Sequence, residues 1–146
     1  MTILITGANG LLGQNLVKQL LENTSHQVIA TGKGNSRLPF EPSSQYSYLP
    51  LDITDGIAVN EFVQQHKPSA IVHAAAMTQP DPCELDQIAC WNVNVTATRF
   101  LIEAAESVGA YFLYVSTDFV FDGLNGPYKE TDATGPVNYY GSSKLA

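Results

Sequence analysis

Short apolar runs alternate with longer stretches of helical periodicity along this chain. Thr2–Thr6 is an apolar, β-prone run that ends abruptly in Gly7-Ala8-Asn9-Gly10. Beyond it Leu11, Leu12, Leu16, Leu20 and Leu21 recur at helical spacing, which predicts a helix to about Asn23. Gln27–Thr31, Tyr46–Leu51, Ala70–His73 and Tyr111–Ser116 follow as predicted strands, and Thr54 is placed to cap a helix through about His66. Between the fourth and fifth strands one long helical stretch carries Leu85, Ile88, Trp91, Val95, Phe100, Leu101 and Ala104. Pro80 and Pro82 sit before its start, where proline is tolerated. From Thr117 to Val137 the sequence is loop-like, and a last helix begins near Asn138. Such alternation, with almost unbroken apolar strands, predicts an α/β fold: a doubly wound, Rossmann-type parallel sheet of about five strands covered on both faces.

Composition narrows the class. Of 146 residues, 45% are hydrophobic and 14% charged, so the chain forms a core and its length suits one domain, residues 1–146. Seven Lys+Arg against 14 Asp+Glu give a net charge of −7, which argues against a nucleic-acid or anionic-membrane partner. So few cations also mean that a phosphorylated ligand must be held by backbone groups. The first residues lack a basic region and a long apolar run, and no stretch is long enough to span a bilayer, so a soluble cytoplasmic protein is expected. Cys83 and Cys90 lie seven apart. On one continuous helix they stand about 10 Å apart, too far to bridge, so both are expected as thiols. No metal site is expected, because two cysteines without matching histidines do not make a zinc site.

Thr6-Gly7-Ala8-Asn9-Gly10-Leu11-Leu12-Gly13 closes the first strand and opens the first helix. A glycine-rich turn there lets backbone approach a pyrophosphate, and the helix N-terminus offers unpaired N–H groups with partial positive charge. Gly7, Asn9, Gly10, Leu11, Leu12 and Gly13 are therefore candidate dinucleotide-binding residues. The spacing is G-x-x-G-x-x-G, one residue longer at the first step than the usual fingerprint. After the second strand, Ala30 to Arg37 holds no carboxylate to take ribose hydroxyls but carries Lys33 and Arg37. That favours NADP(H), with NAD(H) left open; the alternative is that both cations are solvated loop charges. Asp52-Ile53 is placed to meet the adenine, or Asp52 is simply a helix cap.

Tyr140 and Lys144 are four apart at a predicted helix start, a spacing that sets phenol and ammonium on one face. Positive charge beside a phenol favours the phenolate and lowers its pKa toward neutrality, as proton transfer at neutral pH requires. Ser116-Thr117-Asp118 follows the fifth strand, at the carboxyl ends of the strands, where ligands of doubly wound folds gather.

Together these residues resemble the extended branch of the short-chain dehydrogenase/reductase superfamily, and within it the dTDP-4-dehydrorhamnose reductase family. The resemblance rests on Thr6–Gly13, His73-Ala74-Ala75-Ala76, Asn92-Val93-Asn94-Val95, Ser116 to Gly123, Tyr128 to Asp132, and Tyr140–Lys144. It implies that Thr117 hydrogen-bonds the substrate carbonyl, that Tyr140 protonates it as hydride arrives, and that Lys144 binds the nicotinamide ribose and tunes Tyr140. It further implies that Ala74, Ala75 and Ala76 line the nicotinamide side, with Asn94 supportive. Dehydratases of the superfamily have Asp-Glu after the threonine, whereas Asp118 is followed here by Phe119, which favours simple reduction of a nucleotide-linked 4-keto deoxysugar. A nucleotide-sugar epimerase needs the same three residues and remains an alternative. So does a non-catalytic cofactor-binding subunit resembling the regulatory partner of methionine adenosyltransferase.

Members of the family are about twice this long. The chain is accordingly expected to be the cofactor half of a longer protein, lacking the C-terminal substrate lobe and inactive alone. An open apolar sheet edge would favour self-association, as a homodimer.

Overall fold

The computed structural model describes residues 1–146. Five parallel strands, β1 (Thr2–Thr6), β2 (Gln27–Gly32), β3 (Tyr46–Pro50), β4 (Ala70–His73) and β5 (Tyr111–Tyr114), form one sheet in the order β3-β2-β1-β4-β5. The helices are α1 (Leu11–Asn23), α2 (Gly56–His66), α3 (Pro80–Leu85), α4 (Gln87–Trp91), α5 (Ala97–Val108) and α6 (Tyr139–Leu145). Two compact units result: Met1–Ala75 with Ala97–Val115, and Ala76–Thr96 with Ser116–Ala146.

The first unit holds the whole sheet and is the doubly wound fold that the alternation predicts. Side chains of a strand point alternately to the two faces. Leu4 and Ile29 therefore join Val59, Val63, Leu101, Ala104 and Ala105 of α2 and α5 in one core. Ile3, Ile5, Val28 and Ala30 join Val17 of α1 in the other. Leu4 and Leu101 are 0% exposed, so truncating either to alanine would cost about 2–5 kcal/mol. The strand order reverses between β1 and β4, which sets a ligand crevice at their carboxyl ends. At the β5 edge Tyr111 and Leu113 remain exposed. The α2 cap is Asp55 rather than Thr54: its Oδ1 accepts from the N–H groups of Ile57 and Ala58, while Thr54 bonds to Asp52.

The second unit departs most from the sequence reading. The long helix expected between β4 and β5 is broken at Asp86 (φ −133, ψ 77), which ends α3 and caps α4 through its carboxylate. A π-helical turn, Asn92–Thr96, then precedes α5. The break overturns the expectation of two separated thiols. Without a continuous helical rise between them, the Cα atoms of Cys83 and Cys90 lie 5.1 Å apart, and the two residues form a disulfide. Both are fully buried and pack with Tyr140, Met77 and Tyr139. No helix is long and apolar enough to cross a membrane.

Candidate active site

The glycine turn belongs to the first unit. Gly7 has φ +70, and a Cβ there would lie 2.6 Å from the Ala75 nitrogen, so only glycine lets this turn pass under the segment after β4. A side chain at Gly13 would collide with the Gly7 carbonyl, which explains the third glycine as a helix–turn packing contact. Gly10 caps α1 without a side-chain bond, and no acid occupies the first turn. The helix therefore presents its N–H groups and positive dipole end uncovered. Leu11 and Leu12, 85% and 46% exposed, stand beside it.

Asn9 has a role that its place in the turn does not reveal. Its Nδ2 donates to the Asn35 carbonyl (3.0 Å) and the Tyr48 hydroxyl (2.9 Å), and its Oδ1 accepts from the Arg37 N–H (2.8 Å). The Tyr48 hydroxyl donates in turn to the Gly34 carbonyl at 3.0 Å. The loop carrying Lys33 and Arg37 is thus stitched to the glycine turn. Lys33 Nζ lies 3.0 Å from Asp52 Oδ2. Bonds from Thr54, then from Lys33, pull the Asp52 carboxyl down to about 2. Ile53 is buried in the core, leaving its backbone alone to meet a ligand. Ala74 and Ala75 follow β4 in this unit, where His73 is buried between Thr6 (Nδ1 to Oγ1, 2.6 Å) and Thr98 (Nε2 to Oγ1, 3.0 Å).

Ala76, Thr117, Tyr140 and Lys144 belong to the second unit. Asn138 caps α6 by accepting from the Gly141 N–H (2.7 Å), and Glu84 accepts from the Tyr139 N–H (2.6 Å). Tyr140 and Lys144 are both 7% exposed. Burial alone lowers the Lys144 ammonium to about 8. Thr117 caps a 3₁₀ turn, Asp118–Val120, accepting from the Phe119 N–H at 3.3 Å while its hydroxyl donates to Asp118 Oδ1 at 3.2 Å. Phe119 stands edge-on to Tyr140 with centroids 5.6 Å apart, and its carbonyl is so close to Gly141 that a side chain there would collide. Asp122 accepts from the Leu124 N–H and the Tyr128 hydroxyl, a turn-capping role that holds its carboxyl low.

This arrangement supplies a phenol and an ammonium on one helix, and a threonine hydroxyl that caps the turn whose Phe119 packs on that phenol. Two buried polar residues lie beside them: Asn94, which the resemblance gives as supportive, and Ser143, which no motif singles out. Ser143 looks like an ordinary helix position, and the inward aim of Asn94 depends on the π turn.

The family model described as the RmlD substrate binding domain matches residues 1–146. The methionine adenosyltransferase 2 subunit beta of Xenopus tropicalis is 40% identical over 142 residues, covering 97% of this chain and 40% of that protein. A dTDP-4-dehydrorhamnose reductase of Aggregatibacter actinomycetemcomitans is 39% identical over 143 residues, covering 97% and 44%. The solved structure of a hypothetical dTDP-4-dehydrorhamnose reductase from Sulfolobus tokodaii matches with TM-score 0.84 and 38% identity, over 99% of this chain and 50% of that one. WbmG of Bordetella bronchiseptica, solved with NAD and UDP, matches with TM-score 0.84 and 27% identity, over 97% and 46%. The chain spans less than half the length of the curated relatives it matches.

Proposed function

The chain belongs to the RmlD substrate binding domain family, and from that premise we propose that its protein reduces the 4-keto group of a nucleotide-linked deoxysugar with NAD(P)H. One observation carries this reading: Tyr140 and Lys144 stand one turn apart on α6, both buried, with Phe119 where a dehydratase needs a second acid. Two similarities support it, to a dTDP-4-dehydrorhamnose reductase and to a structure holding NAD and UDP.

A dinucleotide suits the first unit. The turn at Gly7 leaves no room for a side chain, the α1 N-terminus is uncapped, and Leu11 and Leu12 are apolar surfaces left for a ligand to cover. Gly7 to Gly13 would hold the pyrophosphate, Ala74 to Ala76 the nicotinamide side. Lys33 and Arg37, with no carboxylate in their loop, favour NADP(H). When bound, the reduced nicotinamide supplies the hydride. Tyr140 gives its hydroxyl proton to the carbonyl oxygen, Thr117 turns its hydroxyl from Asp118 to that oxygen, and Lys144 favours the phenolate left behind.

A second reading has its own support, since the subunit beta of methionine adenosyltransferase 2 is as similar to this chain as the reductase is. In that reading the protein binds the cofactor as a subunit of an assembly. Oxidation of NADPH or NADH by the full-length protein, with a dTDP-linked 4-keto-6-deoxysugar as substrate, separates the two. The reductase reading expects turnover that Tyr140→Phe abolishes. Indifference to that change, or co-purification with a partner enzyme and no turnover, sinks it.

A further inference from the structure

Within the second unit lies a buried polar junction that the proposed chemistry does not use. Asn94 and Ser143 are each 2% exposed. Asn94 Nδ2 donates to Ser143 Oγ (2.9 Å) and to the Met77 carbonyl (3.0 Å), while its Oδ1 accepts from the Met77 N–H (2.8 Å). Ser143 Oγ donates onward to the Tyr140 carbonyl at 2.7 Å. A hydroxyl has one proton to give, and here it goes to the backbone of Tyr140. Cys90 Sγ fills the remaining side, 3.4 Å from Asn94 Nδ2 and 3.5 Å from Ser143 Oγ.

The junction matters because it ties α6, from the turn that carries Tyr140, to the π turn at Asn92–Thr96. The N-terminus of α6 is tied by Asn138 and Glu84. Those ties hold its first residues, and any roll of the helix about its axis swings the Tyr140 phenol. The bond from Asn94 reaches α6 one turn further on and blocks that roll. Asn94 can reach it because the wider π turn, a feature recurrent at functional sites, sets its amide inward.

We propose that Ser143 is a positioning residue for Tyr140: locked between Asn94 and the Tyr140 carbonyl, its hydroxyl fixes the rotation of α6 and so the direction of the phenol. The inference rests on Tyr140 being the proton donor. Ser143 touches neither substrate nor cofactor. Its loss changes how often the phenol is aligned and leaves ground-state binding alone.

The test is steady-state reduction of the keto sugar by full-length protein carrying Ser143→Ala, Ser143→Thr, Asn94→Ala or the double alanine change, with Tyr140→Phe as reference. Ser143→Ala should lower kcat about tenfold to a hundredfold with KM nearly unchanged, the scale of a small misplacement. Threonine, which keeps the hydroxyl bond to the preceding turn, should restore most of kcat. Asn94→Ala, which also frees Met77, should lose at least as much, and the double variant should lose little more than Asn94→Ala, because both changes remove the Asn94–Ser143 bond. Should Ser143→Ala not fold, Asn94→Ala removes the same bond from the other side. An unchanged kcat where Tyr140→Phe is inactive overturns the positioning role and leaves the reductase reading standing. If Tyr140→Phe is fully active, the reductase reading fails. The inference falls with it, while in the active reductase the ¹³Cζ resonance of Tyr140, identified by its loss in Tyr140→Phe, should move in Ser143→Ala, and an unmoved resonance overturns the positioning role.

Discussion

Lys33 is held by Asp52: its ammonium lies 3.0 Å from Oδ2, so two residues read from the sequence as separate cofactor contacts are partners of one another. The pair is exposed and worth little to stability. Its interest lies in competition. A 2′-phosphate carries more charge than a carboxylate and would draw Lys33 away, whereas a ribose hydroxyl would leave the pair intact. Lys33→Ala should therefore weaken NADPH about tenfold while leaving NADH nearly unchanged, as titration calorimetry would read. Equal effects on both would remove Lys33 from cofactor selection.

Gly7 allows no replacement. In Gly7→Ala the new methyl meets the Ala75 backbone at 2.6 Å, on a residue already at φ +70. Backbone cannot give way as a flexible side chain can, and the expected loss is about 2–3 kcal/mol in urea unfolding. Alanine at Gly34, where φ is +75 but nothing lies within 4 Å, should cost only the conformational part, about 1 kcal/mol. Equal costs at the two sites would contradict the collision.

Lys144 gives a pH signature of opposite sign to most lysines. Burial lowers its folded pKa to about 8, against 10.5 when unfolded. Below pH 8 both states carry the proton and the burial penalty is complete. Between pH 8 and 10.5 the unfolded chain holds more protons, so stability rises with pH through this window. Urea midpoints at several pH values should show this contribution in the wild type and its absence in Lys144→Met. Parallel profiles would mean that the ammonium is not desolvated.

The Cys83–Cys90 bond closes a short loop, sequence separation 7, for which chain entropy gives about 2 kcal/mol. Reduction by a dithiol, or the double change to alanine, should lower stability by that order. Burial of both sulfurs predicts slow reduction in the folded state. The cytoplasm that the sequence reading proposes keeps most thiols reduced. Thiol titration of protein quenched with acid inside cells therefore bears on the compartment: two free thiols fit a cytoplasmic setting, none argues against it.

Local signals made the first unit legible. The β1–turn–α1 passage is a change of period from continuous apolar residues to helical spacing, punctuated by glycines, and all its determinants are adjacent in sequence. The Tyr140–Lys144 pair is legible for the same reason. Harder were features set by distant partners. Nothing next to Asn9 shows that its amide is engaged with Asn35, Arg37 and Tyr48. Thr54 and Asp55 are both good caps, and only tertiary placement chose the second. The segment around Asp86 carries enough apolar residues for a continuous helix, so its break, and the disulfide that follows from it, stayed hidden.

A π turn is an α-helix with one residue too many, and each residue of an α-helix turns the chain by about 100°. The turn at Asn92–Thr96 therefore acts as a phase shifter between α4 and Asn94. Deleting one residue there would mend the ladder of hydrogen bonds and improve the helix as a helix. It would also turn α4 by more than a quarter turn relative to Asn94, carrying Cys90 off the face that meets its amide. Local regularity and the alignment of this unit are thus set against each other at a single residue.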